Sequence, residues 1–483
     1  MLHSSVRKLA KLGHGPLVRS VLVIGITAVA SARAVMALSV EDAILFVLET
    51  NPEITAAESN KQAIEFELQQ ARSFWAPRFE LDAFAGGSVN DGTTTPDLSA
   101  ADGWIGGYEF GARMSQLLFD AGETRSEIER QAYRIDAAAL RVLERSEVLS
   151  LEAIRLYADV LRVQSLVRLA RQNRDYHVDV LQRIQRGYDS GVVGIGDLQQ
   201  AEERLILAED TIISFEFDLE DVKNLFIAVV GVDAVGLTGV PDIRSALPSG
   251  LDAALEIARR TNPTIRFLQA DVGSAEALSR RADANAYPKL FLEADGRLGE
   301  DVGGYEGDVA DARIGLVMRY QFQGSSKRAA RQEEVRRVSE SRARLLAQTR
   351  NVENEVRQSY AIYRTAQRRT KKISAQVSIA EKLRDTYEQE FTVGQRSLLD
   401  VLNTQNALFQ AQANLVNATS AENYVRYRIL ASIGILLKSL GIAPPEDSRA
   451  YARDEMNVTP LSQSGGEDRL DARAFKDWRK SLD

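Results

Sequence analysis

The chain has 483 residues, a formal net charge of −8 and 27% charged side chains. It lacks the basic footprint of a nucleic-acid binder, so no nucleic-acid partner is expected. It contains no cysteine, which excludes thiolate metal sites and cysteine nucleophiles and suits an oxidising compartment.

The N-terminus reads as a secretory signal over residues 1–37. Arg7, Lys8, Lys11 and Arg19 supply positive charge, and Leu22 to Ala32 is an apolar run too short for a spanning helix. Small residues before Ser39 suit cleavage after Ala37, with Ala34 as the other choice. His3 and His14 fall in this leader, leaving His177 alone in the mature chain. No catalytic cluster, cofactor motif or metal site stands out, and the chain is not read as an enzyme. No later stretch reaches the roughly 20 apolar residues of a spanning helix, so any membrane crossing must use strands.

Residues 38–74 read as helix, interrupted at Asn51-Pro52, with Ser39 as N-cap and Asp42 completing an imperfect capping box. Pro77 ends that pattern. Phe79, Leu81 and Ala83 then alternate with Arg78, Glu80 and Asp82, and Tyr108, Phe110, Ala112 and Met114 with Glu109, Gly111, Arg113 and Ser115. Period two with one apolar face predicts strands, here a hairpin over 77–117 with a long polar loop. A helical run follows over 120–186, free of Pro and, after Gly122, of Gly. At about 1.5 Å per residue it spans roughly 100 Å, longer than globular helices run. A glycine-rich turn, Gly187 to Gly196, leads to a returning helix over 197–230.

After a linker over 232–249 the plan recurs: helix broken at Asn262-Pro263, hairpin 288–323, long helix 325–390, turn, and helix 398–440. Asn262 repeats Asn51, and Pro288 repeats Pro77, at an offset of 211; Gly394 repeats Gly191, and Asp400 repeats Asp197, at 203 (394 − 191 and 400 − 197). A shorter second hairpin accounts for the difference. The tail over 441–483 reads as partly disordered, with Phe475 and Trp478 marking a short terminal helix.

Four strands of membrane-crossing length cannot close a barrel alone, and a sheet in lipid cannot leave open edges. Several chains must therefore share one barrel. Its apolar faces would meet lipid and its Arg/Glu/Asp/Gln faces a wet lumen. A non-transport alternative remains, an exported coiled-coil structural or adhesive protein without a pore.

These residues carry a resemblance. From Leu38 to Leu440 the chain resembles the TolC-like outer membrane efflux and type I secretion channels. The most specific match is Val393-Gly394 to Asp400-Val401-Leu402. The resemblance implies a mainly α protein with a membrane β-barrel: a homotrimer, four strands per protomer in a twelve-stranded barrel, continued by a periplasmic helical tunnel. It implies outer membrane lipid around the barrel. Its partners would be a periplasmic adaptor and an inner-membrane ABC exporter or proton-driven pump. It places both turns at the periplasmic entrance, with Gly191 and Gly394 permitting the turn geometry. Phe391 matches the family's inner-turn aromatic and Arg396 its gate-lock arginine, expected to pair with Asp197 between helix pairs. Asp400 matches the first residue of the entrance ring, and Asn403 stands at the second. Gly196 occupies a threonine position. Phe391 lacks the family's hydroxyl and Asn403 lacks a charge, so a weaker lock and lower cation affinity are expected. The expected function is a passive exit duct, with type I protein secretion favoured over small-molecule efflux.

Overall fold

A computed structural model describes residues 37–90, 103–322 and 324–458. The leader, the tip of the first hairpin loop and the last 25 residues, with Phe475 and Trp478, lie outside the described residues. The first half runs α1 (Val40–Thr50), α2 (Pro52–Ser73), β1 (Arg78–Ser88), β2 (Ile105–Phe119), α3 (Glu123–Asp189) and α4 (Ile195–Val230). The second runs α5 (Leu251–Thr261), α6 (Pro263–Ala284), β3 (Lys289–Glu300), β4 (Asp308–Arg319), α7 (Ser325–Thr392) and α8 (Leu398–Ser432), followed by the short α9 (Leu436–Ser439) and α10 (Ala452–Glu455).

The two halves repeat one element order, and the repeat extends to single atoms. Asn51 caps α2 by accepting from Glu53 N and donates from Nδ2 to Val229 O. Asn262 caps α6 by accepting from Thr264 N and donates to Ser432 O. Each asparagine breaks its helix where Pro removes an N–H, then uses the freed side chain to bind the end of the returning helix. Ser39 forms the full capping box with Asp42 at α1. The returning helices end differently. α4 stops at Gly231, whereas α8 stops at Ser432 and Gly434, at φ +72°, separates it from α9. One continuous helix to residue 440 is therefore not what forms.

The four strands make one antiparallel sheet in the order β1-β2-β3-β4. α3 and α7 leave the sheet and run the length of the helical part. Above the waist the row is α2-α3-α6-α7; below it α4-α3-α8-α7. At the waist α1, α5 and α9 pack around the middle of the long helices, over a core that includes Ile44, Ile154, Phe226, Leu430 and Leu436. Tyr157 and Tyr427 are buried there. Their hydroxyls donate to the carbonyls of Leu38 and Pro241, tying the connecting segments to the helices.

The tail was expected to be partly disordered from residue 441, and its start, through residue 458, is ordered. Lys61 holds Asp447 at 2.6 Å, and the Tyr451 hydroxyl donates to Glu65 at 2.7 Å. The buried Asp136 carboxylate accepts from Tyr451 N and Ala452 N at 2.9 and 2.8 Å and pairs with Arg453. Ala452 and Val458 join a small core with Ile64 and Leu68. Polar composition concealed this docking because the partners lie more than 300 positions away.

Candidate channel wall and periplasmic gate

The sheet presents two chemically opposite faces. On one, pairing aligns Phe79, Met114, Ala294 and Ile314 across all four strands. Leu81, Ile314, Leu316 and Met318 are 67–85% exposed on this face. A soluble protein rarely shows so continuous an apolar surface to water. On the other face, Glu80, Arg113, Asp295 and Arg313 stand in one row, with alternating charge at each step. Ion pairs join neighbouring strands there: Arg313–Asp295 at 2.7 Å, Arg297–Asp311 at 2.6 Å and Arg319–Glu293 at 2.5 Å. At the foot of this face a cleft of about 800 Å³ is lined by Glu80, Arg113, Glu123, Lys289, Glu293 and Arg319. One face is therefore suited to hydrocarbon and the other to water. β1 and β4 each have one neighbour, so both sheet edges are unpaired in the protomer.

At the far end the two helix turns are built alike. Gly191 and Gly394 share φ +76°, the left-handed region that favours glycine. Gly191 N donates to Tyr188 O and Val192 N to Gly187 O; 203 positions later, Gly394 N donates to Phe391 O and Gln395 N to Glu390 O. A shared small core, with Val180, Ile184, Leu198, Leu398 and Leu402 buried, holds the turns together, and the half-buried Phe391 ring packs on it. Phe391 is thus held in its turn by apolar packing.

Arg396 is held inside its own protomer. Its Nε donates to Glu390 at 2.8 Å, and its guanidinium lies 4.1 Å over the Tyr387 ring. The Glu390 hydrogen bond raises the arginine pKa further. Within the chain Arg396 makes no bond to Asp197, whose side chain has no ion pair among the described residues. Asp400 accepts from the Ser397 hydroxyl at 2.8 Å at the start of α8, where the helix dipole favours negative charge. Asn403 is exposed and accepts from Arg204 at 3.4 Å. Gly196 lies exposed in the first turn of α4, with open space where a Cβ would stand. Glu390 and Tyr387 were absent from the sequence reading. Their positions, six and nine before Arg396, bring them to the arginine only because the turn reverses the chain.

Above the turns, beside an apolar cluster of Val377, Leu408 and Ala411, a few polar groups are buried. Gln405 donates to Asn173 at 2.8 Å, while Gln405 Oε1, His177 Nδ1 and the Tyr176 hydroxyl have no partner. Burial, with Arg204 nearby, pushes the His177 pKa down to about 4. At the waist, burial raises the Glu147 carboxyl to about 7, although it accepts from Leu436 N and Leu437 N at the start of α9.

A sheet with one lipid-suited face, joined to helices of about 100 Å, defines the class of outer membrane channels with a periplasmic helical extension. The family described as outer membrane efflux protein matches residues 46–224 and 254–433, one stretch in each half, and the chain belongs to that family. The outer membrane efflux protein BepC of Brucella suis is 23% identical over 67% of this chain and 71% of its own. The alkaline protease secretion protein AprF of Pseudomonas aeruginosa is 25% identical over 79% of this chain and 81% of its own. Among solved structures, the outer membrane channel CmeC of Campylobacter jejuni superposes with a TM-score of 0.73 at 13% identity, covering 88% of this chain and 90% of that one. The outer membrane protein VceC of Vibrio cholerae gives 0.69 at 18%, covering 84% and 97%. The chain is a non-catalytic outer membrane channel of a tripartite efflux or secretion system, the family type that works with an adaptor and an inner-membrane transporter. A pore-less coiled-coil protein is set aside by that membership.

Proposed function

We propose that three copies close one twelve-stranded barrel in the outer membrane and form a periplasmic tunnel that is the exit duct of a type I protein-secretion system. The observation that carries the barrel is the sheet itself, with an apolar face, a charged face and two unpaired edges. Unpaired backbone groups in hydrocarbon cost several kcal/mol each, so the edges need partners, and further copies supply them. The duct is passive. Energy comes from an inner-membrane ABC exporter, coupled through a periplasmic adaptor that meets the α3/α4 and α7/α8 turns.

At the entrance, three Asp400 carboxylates ring the mouth and favour cations. Asn403 leaves this ring single. The closed state is biased by Arg396, which exchanges its Glu390 partner for Asp197 of a neighbouring copy.

Similarity to AprF along most of both chains supports polypeptide cargo. The similarity to BepC supports small-molecule efflux as the second reading. Cross-linked envelopes, solubilised and purified through this chain, decide between them. An ABC exporter in the eluate, with loss of a large secreted protein on deletion of this chain, is the expected result. A proton-driven pump in the eluate, with drug or metal sensitivity on deletion, would establish the second reading instead.

A further inference from the structure

Below the waist, α4 and α7 form the two lateral borders of the protomer, and they carry opposite charge. α4 has nine acidic residues against two basic, a net −7; the part of α7 below the waist, residues 361–392, has seven basic against four acidic, a net +3. Each border also exposes large apolar side chains on a face turned away from its own neighbours. On α4 these are Ile206, Ile213 and Phe217, at 65–73% exposure; on α7 they include Ile379, at 67%. Exposed Glu209, Glu220 and Asp221 flank the α4 stripe, and exposed Arg369, Lys372 and Lys382 flank that of α7.

The heights of these residues along the tunnel follow from contacts inside the protomer. Arg171 on α3 binds Glu216 on α4 at 2.7 Å. Twelve residues further down α3, Arg183 binds Glu388 on α7 at 2.8 Å. Twelve residues before Glu216 on the returning α4 is Arg204, so Arg204, Arg183 and Glu388 share one level. From that level Ile213 lies nine residues up α4, and Ile379 lies nine residues up α7. Glu220 and Lys372 both lie sixteen up; Glu209 and Lys382 lie five and six up; Asp221 and Arg369 lie seventeen and nineteen up. Rotation about an axis along the tunnel preserves these heights. Glu220 already has Lys223 at 2.7 Å within α4 and would share it; Glu209, Asp221, Arg369, Lys372 and Lys382 have no ion-pair partner among the described residues.

We propose that the acidic-apolar face of α4 seats on the basic-apolar face of α7 of the next copy, with Ile213 against Ile379 at the centre of the seam. The occupant is a second copy of this chain, because the two borders are complementary in sign, in apolar content and in height. An interface of two different faces generates a ring when the rotation closes, and like borders brought together would repel. This rests on the three-copy channel proposed above and adds which faces meet and what selects them. The seam is held by exposed charge, so salt weakens it in a way it cannot weaken the apolar waist.

The chain has no cysteine, so an Ile213→Cys/Ile379→Cys double variant reports this seam alone. In outer membranes under mild oxidation, it should yield covalent species of two and three chains that collapse on reduction. Neither single variant should do so. Independently, Lys372→Glu or Glu220→Lys should each lower recovery of the native trimer severalfold, and the two together should restore it. A native trimer that gives no cross-link and ignores both reversals would overturn the seam and leave the channel reading standing. A wild-type chain that is never trimeric would overturn both.

Discussion

The waist and the periplasmic tip use the same long helices but hold them differently. At the waist a continuous apolar core runs from Val40 to Ile442, and its buried Asn51, Asn262, Tyr157, Tyr427 and Glu147 side chains find backbone partners. Among its buried side-chain atoms in the described residues, the Ser150 and Ser359 hydroxyls and Arg426 Nε go unbonded. At the tip a small core sits among unpartnered polar groups on Tyr176, His177, Gln200 and Gln405. A buried polar atom without a partner costs about 1–3 kcal/mol. The waist is held by the larger apolar core, and the tip, with the smaller one, can rearrange at lower cost.

The largest expected effect lies at the waist. Phe226→Ala empties a fully buried site and should destabilise the protein by about 3–5 kcal/mol, measured by thermal or denaturant unfolding in detergent. Leu402→Ala at the tip removes an equally buried side chain, with a local cost of about 2–5 kcal/mol. It should raise single-channel conductance while leaving the main melting transition in place. A global loss of stability as large as that of Phe226→Ala would remove the distinction between the two regions.

The pH response sharpens the comparison. Glu147 at the waist has its pKa raised to about 7 from 4.5. The folded protein binds that proton first, so this group adds stability as pH falls from 7 towards 4.5. His177 near the tip has its pKa lowered to about 4 from 6.5, so it removes stability as pH falls from 6.5 towards 4. The two oppose each other over the shared window, each by about 3 kcal/mol at most. Glu147→Gln should make melting more acid-sensitive than wild type, and His177→Gln less so. Equal responses would show that the buried groups do not titrate as placed.

The smallest effect is expected at Arg396. Its partner Glu390 is within reach of water, and exposed ion pairs contribute little. Glu390→Gln should change opening in conductance recordings by about fivefold or less, with the direction reporting which partner matters. Fewer openings would mean that Glu390 draws Arg396 away from a closing contact. More openings would mean that the Glu390 pair itself holds the closed state.

Much of the fold was legible in the sequence because period-two and helical patterns are local. Phe79, Leu81 and Ala83 announce a strand face wherever the strand ends up. The Gly191 and Gly394 turns were legible for the same reason, since positive φ is a property of one residue. The partners were not. Glu390 and Tyr387 reach Arg396 only after the chain reverses, and Asp136 captures Tyr451 and Ala452 across more than 300 positions.

By itself the sequence determined the duplicated plan, the four amphipathic strands, the two long helices and the match to outer membrane channels. Tertiary structure alone decided that α8 breaks at Gly434, that residues 442–458 dock on α2 and α3, and that Arg396 rests on Glu390. The physical reason is separation. Periodicity and backbone preference act between neighbours, whereas these contacts are made by groups that meet only once two helices about 100 Å long have been laid side by side.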